Sequence, residues 1–242
     1  MDIREPGWRG RIGVIQPAPG LMLEYEWARL LPEGVAAPFT RVALAGGMPK
    51  DYLVMADAAP GAAATLANAG VGVIAYACGV GSMHEGPERE AQLMRTLAAA
   101  AGGRTVLGMG EAAVAAMRHL GARRIALLTP YSDAINALVA EYLSACGLEA
   151  SGIRKLPVPD AIAAAALQPP QTIAAALAAL DQSPQADVLW NVCSNVRSFD
   201  VIAPVERASG RAMVSSNQAL LWHCLSALGV HGGDAYGGRL AS

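Results

Sequence analysis

The chain has 242 residues with a formal net charge of -2 at neutral pH, 53% hydrophobic residues and 16% charged residues. This composition is typical of a globular protein that buries a substantial core in one large domain or two small lobes. A near-neutral charge without a block of Lys and Arg excludes the electrostatic surface that nucleic acid or an anionic membrane would require. We therefore expect a small-molecule partner, no nucleic acid and no membrane.

The predicted elements alternate along the chain between short β-branched or Leu-rich runs and longer Ala/Leu-rich segments of helical periodicity. This alternation is typical of βα units and predicts an α/β fold with mainly parallel sheets. The predicted strands are 11–16, 41–45, 71–75, 105–107, 124–128, 187–191 and 212–214, and the predicted helices are 51–68, 87–100, 111–120, 132–146, 171–180 and 217–228. The alanine-rich piece 161–166 is expected to form a helix or a loop with a short helix.

Three segments of the first half recur in the second half, in the same order. The matching pairs are 11–17 with 124–130, 71–78 with 186–193, and 103–108 with 210–215. The distance from proline to cysteine is also similar, with 61 positions from Pro17 to Cys78 and 63 from Pro130 to Cys193. The repeat predicts two pseudo-symmetric Rossmann-like lobes, residues 1–120 and 121–242, with an active-site cleft between them.

The repeat places Cys78 and Cys193 at equivalent strand ends. Because ligands of open α/β sheets bind beyond the carboxyl ends of the strands, both thiols should face one cleft from opposite walls. Such a pair suits a reaction in which a thiolate attacks or deprotonates one face of a planar carbon while the other face receives a proton. Racemisation, cis-trans isomerisation and decarboxylation with protonation of one face all fit this description, and none of them requires a cofactor.

Small residues follow each cysteine, namely Gly79 and Val80 in the first half and Ser194 and Asn195 in the second. Their backbone N-H groups can approach a carboxylate or enolate oxygen and form an oxyanion hole without a metal. A free thiol has a pKa of about 8.5, so we expect the site to lower the pKa of at least one of the two cysteines.

These segments together resemble the aspartate/glutamate racemase superfamily and, within it, the branch of maleate isomerases and arylmalonate decarboxylases. The resemblance covers nearly the whole chain and rests on Ala75-Tyr-Ala-Cys78-Gly79, Met83-His-Glu-Gly86, Leu128-Thr-Pro-Tyr131-Ser-Asp133, Val192-Cys-Ser-Asn195 and Val214-Ser-Ser-Asn-Gln-Ala219. It implies that Cys78 is the nucleophile that adds to the double bond of a cis dicarboxylate and that Cys193 is the opposing proton donor. It also implies that the hydroxyl of Tyr131, beside Ser132, holds a substrate carboxylate.

Two departures from the family pattern keep alternatives open. Maleate isomerases have an asparagine shortly after the first strand, where this chain has Gln16 followed by Pro-Ala-Pro-Gly, a loop that looks more like the decarboxylases. Decarboxylases of this branch, however, have a glycine in place of Cys78 and hydroxyl residues in place of Gly79 and Val80. We interpret the chain as a cofactor-independent isomerase or racemase of a small carboxylic acid. The alternatives are an arylmalonate-type decarboxylase and a non-catalytic protein that binds a small acid.

The predicted site therefore has Cys78 and Cys193 as catalytic residues and no metal. The predicted substrate-binding residues are Pro17, Gly79, Val80, Tyr131, Ser132, Ser194 and Asn195. Two other features receive a structural interpretation. Cys146 and Cys224 lie in predicted helices and should be core residues. Gly108-Met-Gly110 resembles part of a dinucleotide-binding motif, but no acidic residue ends the next strand as such a site requires, so we interpret it as a tight turn before a helix.

Four cysteines without a CxxC pair resemble neither a disulfide framework nor a zinc site, so we predict free thiols in a reducing compartment. The first residues lack the basic and apolar segments of a secretory signal, and no apolar run is long enough to span a bilayer. We predict a cytoplasmic protein. Apolar surface on several alanine-rich helices is compatible with a homodimer.

Overall fold

A computed structural model describes residues 4–46, 48–232 and 237–241. Its strands are β1 (Gly10–Pro17), β2 (Val35–Ala36), β3 (Phe39–Val42), β4 (Val73–Tyr76), β5 (Thr105–Gly108), β6 (Arg124–Thr129), β7 (Glu149–Lys155), β8 (Val188–Asn191) and β9 (Ala212–Ser215). Its helices are α1 (Met22–Leu30), α2 (Pro49–Asn68), α3 (Gly79–Met83), α4 (Pro87–Ala100), α5 (Met109–His119), α6 (Asp133–Ala145), α7 (Pro169–Gln182), α8 (Phe199–Ser209) and α9 (Ser216–Ala227). Short 3-10 turns cover Ala163–Ala166 and Arg239–Ala241.

The strands form two parallel sheets with the same topology. In the first sheet the order is β2-β1-β4-β5, with β3 also pairing with β1, and in the second it is β7-β6-β8-β9. In each half the first strand of the repeat lies beside the strand that precedes a cysteine. This arrangement confirms the predicted α/β fold with two pseudo-symmetric lobes, while the division of the chain at residue 120 stays a prediction.

The two lobes share their cores because the helix that follows the last strand of each sheet packs on the opposite sheet. Met117 of α5 lies in one apolar cluster with Ile125 and Leu127 of the second sheet. Leu221 of α9 lies in another cluster with Ile12 and other residues of the first sheet. This exchange of helices holds the carboxyl ends of both sheets at a fixed separation. None of the helices in the described ranges combines the length and the apolar composition of a membrane span.

Three helices and one strand described below were not predicted from the sequence, because their sequences lack a clear apolar pattern. Helix α1 buries only Leu23, Glu26 and Trp27, and one of these is a carboxylic acid. Helix α8 contains Pro204, a residue that normally breaks a helix interior. Strand β7 lies at a sheet edge and is largely polar, so it carries no continuous apolar run. Helix α3 is a single short turn of small residues.

Candidate active site

Both predicted catalytic cysteines lie on one cavity at the carboxyl ends of the strands. Cys78 follows β4 and occupies the position before α3, while Cys193 follows β8. Their side chains are buried, with 5% and 4% of their surface exposed. The cavity has a volume of about 260 Å³ and is built from both lobes. It is lined by Pro17, Pro19, Gly20, Leu44, Ala45, Gly46, Tyr52, Cys78, Gly79, Val80, Tyr131, Asp160, Ala161, Ile162, Cys193, Ser194 and Asn195.

Eight of the nine residues predicted from the sequence line this cavity. The exception is Ser132, whose hydroxyl accepts a hydrogen bond of 3.4 Å from the backbone N-H of Ile135 and caps helix α6. Tyr52, Leu44 and the segment 160–162 also line the cavity, and the sequence did not single them out. Tyr52 belongs to the apolar face of α2, so nothing in its sequence neighbourhood distinguishes it from an ordinary core residue.

The sulfur of Cys193 is surrounded by hydrogen-bond donors. The backbone N-H of Asn195 lies 3.4 Å from Sγ, and the hydroxyl of Tyr131 donates to the same sulfur. These contacts favour the thiolate and lower the pKa of Cys193, but burial raises it by more. The net effect is a pKa above the ordinary thiol value.

The sulfur of Cys78 is also held in its neutral form. Burial raises its pKa to about 12, the backbone N-H of Gly81 lowers it in part, and the charge of an ionised Cys193 raises it further. The expectation that the site lowers the pKa of at least one thiol was therefore wrong, because desolvation outweighs the donors at both sulfurs. Two thiolates at these positions would repel each other, so at most one of the two sulfurs is ionised at a time. Such a pair can supply one base, the thiolate, and one acid, the thiol.

Polar contacts to a ligand would come almost entirely from neutral groups. Asp160 is the one charged side chain among the described residues that line the cavity, and its carboxylate accepts from the backbone N-H groups of Ile162 and Ala163 at 2.9 and 2.8 Å. Burial raises the pKa of the tyrosines at positions 52 and 131, so both hydroxyls keep their protons and can donate. A substrate carboxylate would be held by hydroxyls and backbone N-H groups.

Comparison with known proteins agrees with this geometry. The family model described as arylmalonate decarboxylase matches residues 12–241. The chain belongs to this family. The predicted resemblance is thereby confirmed, and relatives of two named activities share the fold.

Relatives of both activities match nearly the whole chain. A maleate isomerase of Geobacillus stearothermophilus is 27% identical over 232 residues, covering 91% of this chain and 92% of the relative. The arylmalonate decarboxylase of Bordetella bronchiseptica is 28% identical over 220 residues, covering 90% of each. A cysteine-to-serine mutant of the maleate cis-trans isomerase of Nocardia farcinica, with a covalently bound succinylcysteine intermediate, superposes with a TM-score of 0.86 at 29% identity, covering 96% of this chain and 98% of that one. A crystal structure of arylmalonate decarboxylase has a TM-score of 0.82 at 29% identity, covering 95% and 98%.

In this member of the family, the loop after Cys193 is tied to helix α1 of the other lobe. The side chain of Asn195 accepts from the backbone N-H groups of Leu21 and Met22 at 3.0 and 3.1 Å, and donates to the carbonyl of Ala161 at 3.0 Å. The amide of Asn195 therefore joins three segments around the cavity, and its backbone N-H remains the group directed at Cys193.

A buried carboxylate fixes the same loop at its far end. Glu26 of α1 accepts from the backbone N-H groups of Ser198 and Phe199 at 2.6 and 3.1 Å, at the beginning of α8. It also accepts from the side-chain amide of Asn217 at 2.7 Å, and that amide donates to the carbonyl of Ser194 at 3.0 Å. Burial raises the pKa of Glu26 despite these donors. The residues after Cys193 are thus positioned by both lobes.

The glycines of Gly108-Met-Gly110 make room for an internal carboxylate. Glu90 accepts from the backbone N-H groups of Gly110 and Glu111, both at 3.1 Å, at the beginning of α5, and from the hydroxyl of Tyr142. A Cβ atom at position 108 would lie 2.1 Å from a carboxylate oxygen of Glu90. The carboxylate occupies the helix terminus where a dinucleotide-binding protein holds a phosphate, which agrees with reading this motif as a structural turn.

We expect Glu90 to make stability depend on pH. Burial raises its pKa from 4.5 to about 7, so the folded protein binds this proton more tightly than the unfolded chain does. The resulting stabilisation is complete below the unfolded-state pKa and is lost as the pH rises through about 7. In Glu90→Gln this loss should be absent, so the free energy of unfolding of the wild type, measured with urea, should fall relative to the variant between pH 4.5 and 7. A constant difference between the two proteins over that range would contradict the assignment.

Proposed function

We propose that this protein is a cofactor-independent cis-trans isomerase of a small carboxylic acid, of the maleate isomerase type. The observation that carries the proposal is the pair of buried thiols, Cys78 and Cys193, on one small cavity between two pseudo-symmetric lobes. The maleate isomerase relatives support it, and so does the Nocardia farcinica structure with its covalently bound succinylcysteine intermediate. A homodimer and a cytoplasmic location remain proposals.

The proposed reaction begins when Cys78 loses its proton to solvent and the resulting thiolate adds to one alkene carbon. A C-S bond forms, the π electrons move to the neighbouring carbon, and Cys193 donates a proton to that carbon. The former double bond is now single and rotates. Cys193 then takes the proton back while the C-S bond breaks, which releases the trans acid and restores both sulfurs. In a racemase version of the same site, the two groups act as base and acid across an α-carbon.

The charge that develops during this reaction would be stabilised by donors on the cavity wall. The backbone N-H groups of Gly79 and Val80 open α3, and the hydroxyls of Tyr52 and Tyr131 lie on the two lobes. Donors aimed at a developing oxyanion in a desolvated cavity are among the strongest contributions to catalysis. The cavity is small, and apart from Asp160 its polar groups are neutral hydrogen-bond donors or acceptors, so a small acid held through hydroxyls and backbone N-H groups is the substrate class that fits.

The direct test is to trap the covalent intermediate. Cys193→Ser should still add maleate but complete the cycle slowly, and intact-protein mass spectrometry should then show the mass of one maleic acid attached to Cys78. Cys78→Ser combined with Cys193→Ser is the matched control and should show no adduct. Absence of an adduct, together with absence of fumarate from the wild type by proton NMR, would contradict the proposal.

A decarboxylase is the second candidate, favoured by the apolar cavity wall that includes Leu44 and Ile162 and by the loop 17–20. The test is loss of carbon dioxide from phenylmalonate. If that activity survives Cys78→Ala, the protein acts as a decarboxylase that needs only Cys193. If the protein turns over neither maleate nor phenylmalonate, and racemises no amino acid in D2O, the binding-protein interpretation is favoured.

A further inference from the structure

The residue two positions before each cysteine is fully buried and carries polar atoms that lack a hydrogen-bond partner. Tyr76 and Asn191 end the equivalent strands β4 and β8, and both are 0% exposed. Within the described part of the chain, neither the Tyr76 hydroxyl nor the side-chain amide of Asn191 has a partner. A buried donor left unpaired is unfavourable and uncommon in native proteins, so its recurrence in both repeats calls for an explanation.

The Tyr76 hydroxyl faces the same small space as the sulfur of Cys78. A Cβ atom placed on Gly81 would lie 2.9 Å from Cys78 Sγ and 2.9 Å from Tyr76 Oη. The space stays open because residue 81 has no side chain. The backbone of Cys78 is extended, so residues 76 and 78 point to the same side, as alternate residues of a strand do.

We propose that the hydroxyl of Tyr76 donates a hydrogen bond to the Cys78 thiolate when that thiolate forms, and that Gly81 provides the space for this contact. The inference rests on the proposed function only in assuming that Cys78 reacts as a thiolate. Tyr76 acts through Cys78 and is therefore a positioning residue. A neutral thiol is a weak acceptor, so the hydroxyl gains its partner when the sulfur is ionised.

The surroundings of Cys193 support this assignment by analogy. The sulfur of Cys193 receives a backbone N-H from Asn195 and the hydroxyl of Tyr131. Cys78 receives the backbone N-H of Gly81, and Tyr76 would supply the matching hydroxyl. Each sulfur would then have at least one backbone donor and one tyrosine donor, and Cys193 also receives a second backbone N-H, from Val196.

The other titratable groups around Cys78 lie on different sides of it. Cys193, Tyr52 and Tyr131 line the substrate cavity, whereas Tyr76 is not among the described residues that line it. Burial raises the pKa of Tyr76, and the charges of Cys78 and Glu90 raise it further. Tyr76 therefore keeps its proton and, because it does not line the cavity, can donate to the sulfur without competing with substrate.

Tyr76→Phe tests this inference through the reactivity of Cys78. The rate of iodoacetamide labelling at Cys78, read by peptide mass spectrometry across a pH series, should fall roughly tenfold at pH values below its midpoint, since a hydrogen bond to a charged group is lost. The midpoint should move to higher pH. The thermal midpoint of unfolding should stay the same or rise, because the variant removes an unpaired buried hydroxyl. With substrate, kcat should fall and KM should change little.

Thr172→Val is the matched control, because Thr172 on α7 is also buried with a hydroxyl that has no partner in the described residues. It should leave the labelling of Cys78 unchanged. Identical labelling profiles for wild type and Tyr76→Phe would overturn the inference, and so would slower labelling accompanied by a lower thermal midpoint. If the labelling profile shifts as expected but no acid is isomerised by the wild type, the inference stands and the proposed function fails.

Discussion

Replacing either Cys78 or Cys193 by serine is expected to lower kcat/KM for the isomerisation of maleate roughly a thousandfold or more. An alcohol ionises far less readily than a thiol, so serine at position 78 cannot supply the nucleophile. Serine at position 193 is a weaker acid than cysteine and donates the proton slowly. Both side chains line the cavity, and the sulfur-to-oxygen exchange changes the side-chain volume little, so the loss of activity should not come from misfolding.

Proton NMR in D2O measures this effect by following maleate and fumarate together. Cys146→Ala is the matched control, since Cys146 is a partly buried thiol at the end of α6, away from the cavity. It should retain the wild-type rate. Full activity in Cys193→Ser would show that another group or water moves the proton, and the two-thiol mechanism would then be wrong.

The internal repeat is the reason that the sequence predicted the lobes and the cysteine pair. Strands β4 and β8 are buried along their whole length, so they appear as continuous apolar runs, and each leads to a cysteine. A second copy of a pattern is strong evidence that its position is fixed by the fold. Gly79, Val80, Ser194 and Asn195 lie next to these two anchors along the chain. Pro17 and Tyr131 lie at the ends of the other repeated strands, β1 and β6, so the same repeat revealed them.

The residues that the sequence did not reveal depend on contacts between distant segments. Tyr52 reaches the cavity from α2, and Glu26 reaches the Cys193 loop from a helix with few apolar residues. The adjacent hydroxyl of Ser132 was assigned to substrate because it follows Tyr131, yet its position at the start of a helix directs it to a backbone N-H.

The sequence also could not predict whether the pKa values of the two thiols are raised or lowered. The sequence shows that small residues with accessible N-H groups follow each cysteine. It does not show how deeply the sulfurs are buried, and burial is the larger effect at both Cys78 and Cys193. A local pattern therefore predicts which donors are present, whereas the packing of the two lobes decides the balance.

Glu26→Leu is expected to lower the free energy of unfolding by about 3 kcal/mol or more, as measured by urea denaturation. The leucine fills a similar volume but accepts no hydrogen bond, so the backbone N-H groups of Ser198 and Phe199 would lose this acceptor, and the Asn217 amide would keep only its bond to the carbonyl of Ser194. Glu26→Gln keeps one acceptor oxygen and should lose less. The change Glu141→Leu, at an exposed position of α6, should shift stability by only about 0.5 kcal/mol.

The same variants show whether the loop after Cys193 is held in place by Glu26 or by the contacts of Asn195. If Glu26 fixes the loop, Glu26→Gln should also weaken turnover, because Ser194 and Cys193 follow the position of Asn217 and of the beginning of α8. If Glu26→Leu unfolds at the same urea concentration as the wild type, the contacts of Asn195 with Leu21 and Met22 must suffice to hold the loop. The joining of the two lobes would then depend on Asn195, and Asn195→Ala would be the variant that loses stability and activity together.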